Sequence, residues 1–176
     1  MTTSFSLRTL SRDDILHHLP ALSEILASCV NGGASVSFML PFAPQTAITF
    51  WQRTADSAAA GERIVLAAFD AEERPVGTVQ LITSQPENQP HRADVAKLLV
   101  HQNVRRQGIA QALMSELERI ARRERKTVLV LDTATGSGAE QFYARCGWEK
   151  VGEIPRYALM PDGEMTATSL FYKFLP

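Results

Sequence analysis

The chain has little of several features that would narrow its function at once. Its 176 residues carry a formal net charge of −1, so no strong field attracts nucleic acid or an anionic membrane. No apolar run approaches the roughly 20 residues that span a bilayer. The segment Met1 to Phe5 lacks a charged stretch followed by an apolar one, as a secretion signal would have. We therefore expect a cytoplasmic protein with neither nucleic acid nor membrane as a partner.

Cysteine is also scarce. Cys29 and Cys146 are the only two, too few for a disulfide framework and without the spacing of metal ligands. We expect both to be reduced and packed in the core, and we expect no bound metal. The 45% of hydrophobic residues is enough for one core, and no linker or repeat divides the chain. Residues 1–176 are therefore predicted to form a single domain.

Hydrophobic periodicity predicts the order strand, helix, helix, three strands, helix, strand, helix and two strands. Pro20 indicates a break or a new first turn inside the first helical region. The longest helix is predicted after Gly108, where apolar residues recur at helical spacing as far as Ala121. The run 127–132 is apolar at almost every position, which is typical of a strand covered on both faces.

The turn before the longest helix has the properties of a phosphate site. A helix N-terminus has unpaired backbone N–H groups and the positive end of the helix dipole, so it can hold an anion. Arginine side chains add charge, and Gly108 lets the backbone approach the anion closely. We therefore predict a pyrophosphate cradle, formed by Arg105, Arg106, Gln107, Gly108, Ile109 and Ala110.

The spacing Arg-x-x-Gly-x-Ala over residues 105–110 resembles the acetyl-CoA signature of the Gcn5-related N-acetyltransferase (GNAT) family. A second segment, 138–148, resembles that family's second motif through Ala139, Tyr143 and the pair Gly147 and Trp148. The resemblance implies an α/β (α+β) fold with a mixed sheet of about seven strands and about four helices. In that fold the fourth and fifth strands are parallel and splay apart to admit the pantetheine arm.

One departure from the family pattern is Gly136, at a position where the family often has asparagine. A polar group near the pantetheine arm is then missing, and Ser137 or the backbone would have to replace it. The other cofactor contacts that the resemblance implies are the backbone groups of Leu98, Leu99 and Val100, together with Tyr143.

The resemblance implies transfer of an acetyl group from acetyl-CoA to a primary amine of a small molecule, by direct attack in a ternary complex. The amine must lose a proton and the thiolate must leave, so the reaction needs a base and a proton donor. Asp94 and Asp132 are the candidate bases, and the sequence does not decide between them. Either could instead be a cap, an ion-pair partner or a ligand of the substrate ammonium. Period-two alternation predicts that Asp94 and Leu98 share a face.

Tyr143 is the candidate proton donor, and a core aromatic residue is the alternative interpretation. The loop 31–42 either packs on the core or lines the acceptor pocket. In the second case Gly33, Ser35, Phe38 and Met39 join Asp94 and Asp132 in binding the substrate. The stretches 31–39, 93–100 and 131–143 also resemble a toxin-resistance branch of the family, which suggests an amino-acid-like toxin or antibiotic as acceptor.

Two other functions stay open at this point. The stretch 128–138 resembles the nucleotide loop of a Rossmann-type methyltransferase, although Gln141 occupies the third glycine position and little chain follows. Loss of the polar group at Gly136 also leaves room for a non-catalytic acyl-CoA sensor. The apolar final hairpin is compatible with a homodimer.

Overall fold

The computed structural model describes residues 4–176, so part of the Met1 to Phe5 segment lies outside it. The strands are β1 Ser6–Leu10, β2 Arg63–Phe69, β3 Pro75–Ile82, β4 Arg92–Val100, β5 Val128–Ala134, β6 Glu149–Leu159 and β7 Met165–Phe174. The helices are α1 Arg12–His17, α2 Leu19–Asn31, α3 Pro44–Ala59, α4 Ile109–Arg123 and α5 Ala139–Arg145, with a short 3₁₀ turn at Gln102–Val104. The predicted order of elements is confirmed, except that the first helical region consists of two helices, α1 and α2.

The seven strands form one sheet in the order β1-β2-β3-β4-β5-β7-β6. Only the pair β4 and β5 is parallel within the described chain, and every other neighbouring pair is antiparallel. This confirms the predicted fold class. A Rossmann-type methyltransferase needs a doubly wound parallel sheet, so that alternative is wrong. The described residues hold five α-helices rather than about four, because Pro20 sits in the first turn of α2 and separates it from α1.

Two apolar layers cover the two faces of the sheet. On one face, α4 and α5 pack on the sheet through residues such as Leu113, Leu117 and Tyr143. On the other face, α1, α2 and α3 form a second cluster, in which the indole of Trp51 donates a hydrogen bond to the Leu22 carbonyl at 2.9 Å. Any site that opens through the sheet is therefore bordered by different helices on its two faces.

A β-bulge in β4 sets the geometry of the site. Ala96 pairs with Gln80 and Leu99 with Thr78, so two residues of β4, Lys97 and Leu98, lie opposite one residue of β3. Lys97 has a left-handed backbone with φ of 56°. A bulge of this kind bends a strand and increases its twist, which turns the end of β4 away from β5.

The bulge also overturns the predicted alternation along β4. Asp94 pairs with Ile82 and lies on the α1–α3 face, as Leu99 does. Leu98 packs instead against the α4–α5 cluster. The prediction that Asp94 and Leu98 share a face is wrong, because the extra residue at the bulge shifts every later side chain to the other face.

The hairpin of β6 and β7 exposes several large apolar side chains. These are Val151, Ile154, Tyr157, Leu159, Met165 and Phe174. The homodimer that this surface suggested stays a prediction. In the described part of the chain, no helix has the length and apolar character that crossing a bilayer requires.

Candidate active site

The site is the gap between β4 and β5, which we call the β4–β5 gap. Pairing of the two strands ends at Asp94 and Val130. Beyond that point β4 stays paired to β3 as far as Val100, and β5 stays paired to β7 as far as Ala134. The parallel strands therefore part over their last residues, and their carboxyl ends leave backbone edges open to a ligand.

The predicted cradle lies directly after β4, at the start of α4. Gly108 is the N-cap with φ of 79°, and Arg106 is left-handed as well, with φ of 65°. The first helical hydrogen bond runs from the Ala112 N–H to the Gly108 carbonyl. Within residues 4–176, the N–H groups of residues 105–111 find no backbone acceptor. This row of free donors at a helix N-terminus fits a diphosphate.

The glycine is suited to this position for a second reason. A Cβ placed on Gly108 would meet no protein atom within 4 Å. The space in front of the cradle is therefore open, and a side chain there would enter the volume that an anion needs. Ile109 is buried and anchors the turn to the sheet, while Gln107 and Ala110 are half-buried.

The two arginines of the cradle play different parts. Arg105 folds back on β4, where its Nε donates to the Val100 carbonyl at 3.4 Å and a terminal nitrogen lies 3.8 Å from the Cys29 sulfur. Burial raises the pKa of the Cys29 thiol, although Arg105 opposes that rise. Arg106 is exposed and points its charge to solvent at the cradle. Arg105 thus fastens the cradle to the strand, and Arg106 is available to a phosphate.

Asp94 is held in a network of polar side chains. Its Oδ1 accepts a hydrogen bond from Arg92 at 2.5 Å, and its Oδ2 accepts one from Gln85 at 3.1 Å. Arg92 also donates to Gln85 and Gln89. Both carboxylate oxygens are engaged, so the alternative interpretation of Asp94 as an ion-pair partner describes its geometry.

Asp132 is placed differently. It is exposed near the end of β5, beyond the point where β4 has parted from it. Its Oδ2 accepts a hydrogen bond from the hydroxyl of Thr168 on β7 at 2.7 Å. Because Thr168 is buried, its hydroxyl is held in place and fixes the position of the Asp132 carboxylate. The Oδ1 of Asp132 has no hydrogen-bond partner among the described residues. Of the two aspartates, Asp132 has the free oxygen that a proton acceptor needs.

Tyr143 lies on α5 and is buried in the α4–α5 cluster, on the face of the sheet opposite the α1–α3 cluster. Its ring packs between Trp148 and Phe171, with centroid distances of 6.1 and 5.9 Å. Burial raises the pKa of Tyr143 to about 12, with smaller contributions from Cys146 and Asp132. The phenol is therefore both a core residue and a protonated donor at neutral pH.

The buried phenol has a measurable effect on stability. Because the pKa of Tyr143 is about 12 when folded and about 10 when unfolded, the unfolded chain loses this proton first as pH rises. The folded protein should lose about 1.4 kcal/mol of unfolding free energy per pH unit from this group above pH 10. Denaturant unfolding of wild type and Tyr143→Phe between pH 9 and 11.5 measures this slope. We expect the unfolding free energy of Tyr143→Phe to fall less steeply with pH than that of the wild type. Equal slopes for the two proteins would contradict a raised pKa of Tyr143 in the folded state.

The loop 31–42 packs on the core and also borders a cavity, and a role in binding the acceptor stays a prediction. Phe38 and Phe42 pack on the α1–α3 core cluster, with ring centroids 5.2 Å apart. Phe38 also lines a cavity of about 420 Å³ between the loop and α3. Met39 is exposed and lies outside that lining. Gly33 has φ of 91° and turns the chain after α2, and Ser35 is half-buried without contact to the cavity.

Two residues near the gap were not predicted from the sequence. Lys97 occupies the bulge, and its ammonium donates to the Ser37 hydroxyl at 3.2 Å. Burial lowers the pKa of Lys97, and Asp132 opposes that shift. Thr168 positions Asp132 from a strand far along the chain. A bulge and a cross-strand contact both depend on pairing register, which periodicity within one strand does not reveal.

The turn between β5 and α5 holds the groups expected to replace the missing polar side chain at Gly136. The Ser137 hydroxyl donates to the Ala134 carbonyl at 2.8 Å, inside the turn. The Gly136 N–H donates to Glu140 at 3.1 Å. Both groups stabilise the turn, and a role for Ser137 or the backbone near the pantetheine arm stays a prediction.

Comparisons with known proteins agree with this architecture. The sequence model of the acetyltransferase (GNAT) family matches residues 24–148. A ribosomal-protein-alanine N-acetyltransferase from Brucella melitensis superposes with a TM-score of 0.79 at 23% identity, covering 97% of this chain and 99% of that one. A protein from Salmonella typhimurium, solved with its cofactor acetyl-CoA, superposes with a TM-score of 0.78 at 15% identity, covering 99% of this chain and 95% of that one. An N-acetyltransferase from Staphylococcus aureus superposes with a TM-score of 0.80 at 14% identity, covering 99% of this chain and 100% of that one.

Proposed function

We propose that this chain, which belongs to the acetyltransferase (GNAT) family, moves the acetyl group of acetyl-CoA to a primary amine of a small molecule. One observation carries the proposal. The free N–H groups of the cradle follow β4, the free oxygen of Asp132 lies near the end of β5, and the phenol of Tyr143 lies on the helix that follows β5, so all three adjoin the strands that border the β4–β5 gap. They match the needs of a diphosphate, an amine proton and a leaving sulfur.

Acetyl-CoA would supply an acyl thioester, and the residues of this chain would bind it and handle the protons. The cradle binds the diphosphate, with Arg106 adding charge from the surface. Backbone groups on the open edge of β4 from Leu98 to Val100 are suited to the pantetheine amides and to the charge that develops on the carbonyl oxygen. The Val100 carbonyl already binds Arg105, which ties this edge to the cradle.

Asp132 is proposed as the proton acceptor for the amine, directly or through a water. An alkylammonium has a pKa near 10.4, so an acceptor is needed at neutral pH. Thr168 holds one oxygen of Asp132 and leaves the other free. Asp94 is proposed to organise the entrance with Arg92 and Gln85 rather than to accept the proton.

The two aspartates can be separated by matched substitutions. Asp132→Asn should lower kcat about 100-fold, in the range of a lost general base. Asp94→Asn removes the charge from a polar network but no proton acceptor, and should lower kcat less than about 10-fold. Steady-state release of CoA thiol at saturating acetyl-CoA measures both. The reverse order of effects would assign the base to Asp94.

The size of the cavity supports a small acceptor. Its volume of about 420 Å³ lies in the range of about 300 to 1,000 Å³ that small-molecule sites occupy. The resemblance to the toxin-resistance branch adds an amino-acid-like toxin or antibiotic as the proposed class of acceptor. Screening a library of primary amines for acetyl-CoA consumption tests the whole proposal.

A non-catalytic acyl-CoA sensor is the second candidate, favoured by the absence of a polar side chain at Gly136. The two functions differ in one assay. Acetyl-CoA should raise the midpoint of thermal unfolding whether the protein is an enzyme or a sensor. Only an enzyme should also release CoA thiol with an amine of the library. Stabilisation by S-adenosylmethionine and not by acetyl-CoA would contradict both.

A further inference from the structure

The cavity beside α3 carries only positive formal charge in its described lining. Its charged residues are Arg53 and Arg63, and no acidic side chain lines it. Phe38 and Phe50 form an apolar wall, with ring centroids 5.6 Å apart at a right angle. Neutral polar residues of α3 complete the lining: Gln45, Thr46, Thr49, Thr54 and Ser57. A cavity of this composition suits a ligand that is partly apolar and carries a negative charge.

Arg63 is held in place by neutral partners. Its Nε donates to the Ser57 hydroxyl at 2.9 Å, and one terminal nitrogen donates to the Gln80 side-chain oxygen at 2.8 Å. Gln80 is fully buried, so the guanidinium is fixed against the sheet. Arg53 is exposed and makes no ion pair with any residue that the structure describes. Both charges are therefore available to a ligand.

Lys97 is a third cation, and it connects the cavity to the β4–β5 gap. Its ammonium bonds to Ser37, and the next residue, Phe38, lines the cavity. Its neighbour Ala96 pairs with Gln80, which holds Arg63. A half-buried ammonium without a carboxylate at ion-pair distance is unfavourable, and an anionic ligand would compensate for it.

The acidic residues around the cavity offset these cations only in part. Asp56 of α3 pairs with Arg12 at 3.1 Å, and Asp94 pairs with Arg92. Glu62 accepts a hydrogen bond at 2.7 Å from the Ser57 hydroxyl, to which Arg63 donates, so Glu62 offsets part of the Arg63 charge. The charge of Asp132 raises the pKa of Lys97, although the two side chains form no hydrogen bond or ion pair within the described residues. The region between α3 and the gap therefore keeps an excess of positive charge.

We propose that the acceptor amine carries a carboxylate, which binds in this cavity to Arg53 and Arg63, with the charge of Lys97 nearby, while the amine faces Asp132. The inference rests on the proposed function and names the class of its acceptor. Guanidinium groups bind carboxylates through two parallel hydrogen bonds, which orients a ligand as well as holding it. The carboxylate would thus direct the amine toward the β4–β5 gap.

The test compares amines that differ only in the acid group. L-Lysine with cadaverine, L-ornithine with putrescine, and β-alanine with β-alaninamide form such pairs, and release of CoA thiol gives kcat/KM for each. We expect kcat/KM to be at least about 10-fold higher for the acid member of the pairs that react, since hydrogen bonds to charged groups have effects of this size. Arg53→Met should lower that value about 10- to 100-fold through KM and leave the neutral members unchanged.

Arg53 is exposed, so its replacement should not disturb folding, and circular dichroism checks this point. Arg74→Met is the matched control, because Arg74 is an exposed arginine in the turn after β2, at the end of that strand remote from Arg63. It should leave every acceptor unchanged. Equal kcat/KM within the pairs would overturn the inference and leave the proposed function standing. No thiol release from any amine would overturn the proposed function and this inference with it.

Discussion

Replacing Tyr143 with phenylalanine should lower turnover about 100- to 1,000-fold, the effect typical of losing one hydrogen-bond donor to a developing charge. The reason is the environment of the phenol. Burial raises the pKa of Tyr143 to about 12, whereas an alkyl thiol has a pKa near 8.5. A phenol of pKa about 12 is a weaker acid than a thiol, so it stabilises a leaving thiolate by donating a hydrogen bond rather than by giving up its proton completely.

The measurement is kcat with saturating acetyl-CoA, together with the dissociation constant of acetyl-CoA by calorimetry. The dissociation constant should stay nearly unchanged, because the aromatic ring that packs between Trp148 and Phe171 is retained. Tyr157→Phe is the control, since Tyr157 is an exposed tyrosine on β6. A wild-type rate for Tyr143→Phe would assign Tyr143 to the core alone.

The sequence predicted the fold because its elements are locally consistent. The α4 helix shows its apolar face at helical spacing, and α1 begins with a capping box formed by Ser11 and Asp14. In β5 the expectation of cover on both faces holds for one face only: Leu129 and Leu131 are buried in the α4–α5 cluster, whereas Val128 and Val130 are half-buried. These signals depend on neighbours within a few residues, so they can be recognised without tertiary structure.

The parts of the site that the sequence missed depend on register. The bulge at Lys97 inserts one residue opposite β3, reverses the face of Leu98 and places an ammonium beside Ser37. The proposed preference for Asp132 over Asp94 follows from contacts with Thr168, Arg92 and Gln85, which strand pairing or loop folding brings close. The sequence therefore named both aspartates as candidates, and only their hydrogen-bond partners distinguish them.

Gly108→Val should abolish measurable acetyl-CoA binding at concentrations that saturate the wild type. Gly108 has φ of 79°, a conformation that costs an L-residue about 1 to 2 kcal/mol and a β-branched one more. Its Cβ would also project into the open space in front of the free N–H groups of residues 105–111. The valine would thus displace the diphosphate and strain the turn that presents these donors.

A valine at a second glycine is the control that separates the effect of backbone strain from the effect of losing the cradle. Gly163 lies in the turn between β6 and β7 with φ of 94°, and a Cβ there also meets no atom within 4 Å. Gly163→Val should cost comparable stability and leave acetyl-CoA affinity unchanged in calorimetry. If both variants bind acetyl-CoA as the wild type does, the diphosphate does not bind at the start of α4, and the roles assigned to Asp132 and Tyr143 lose their common basis. If only Gly108→Val fails to bind, the open backbone at this helix start is what holds the cofactor.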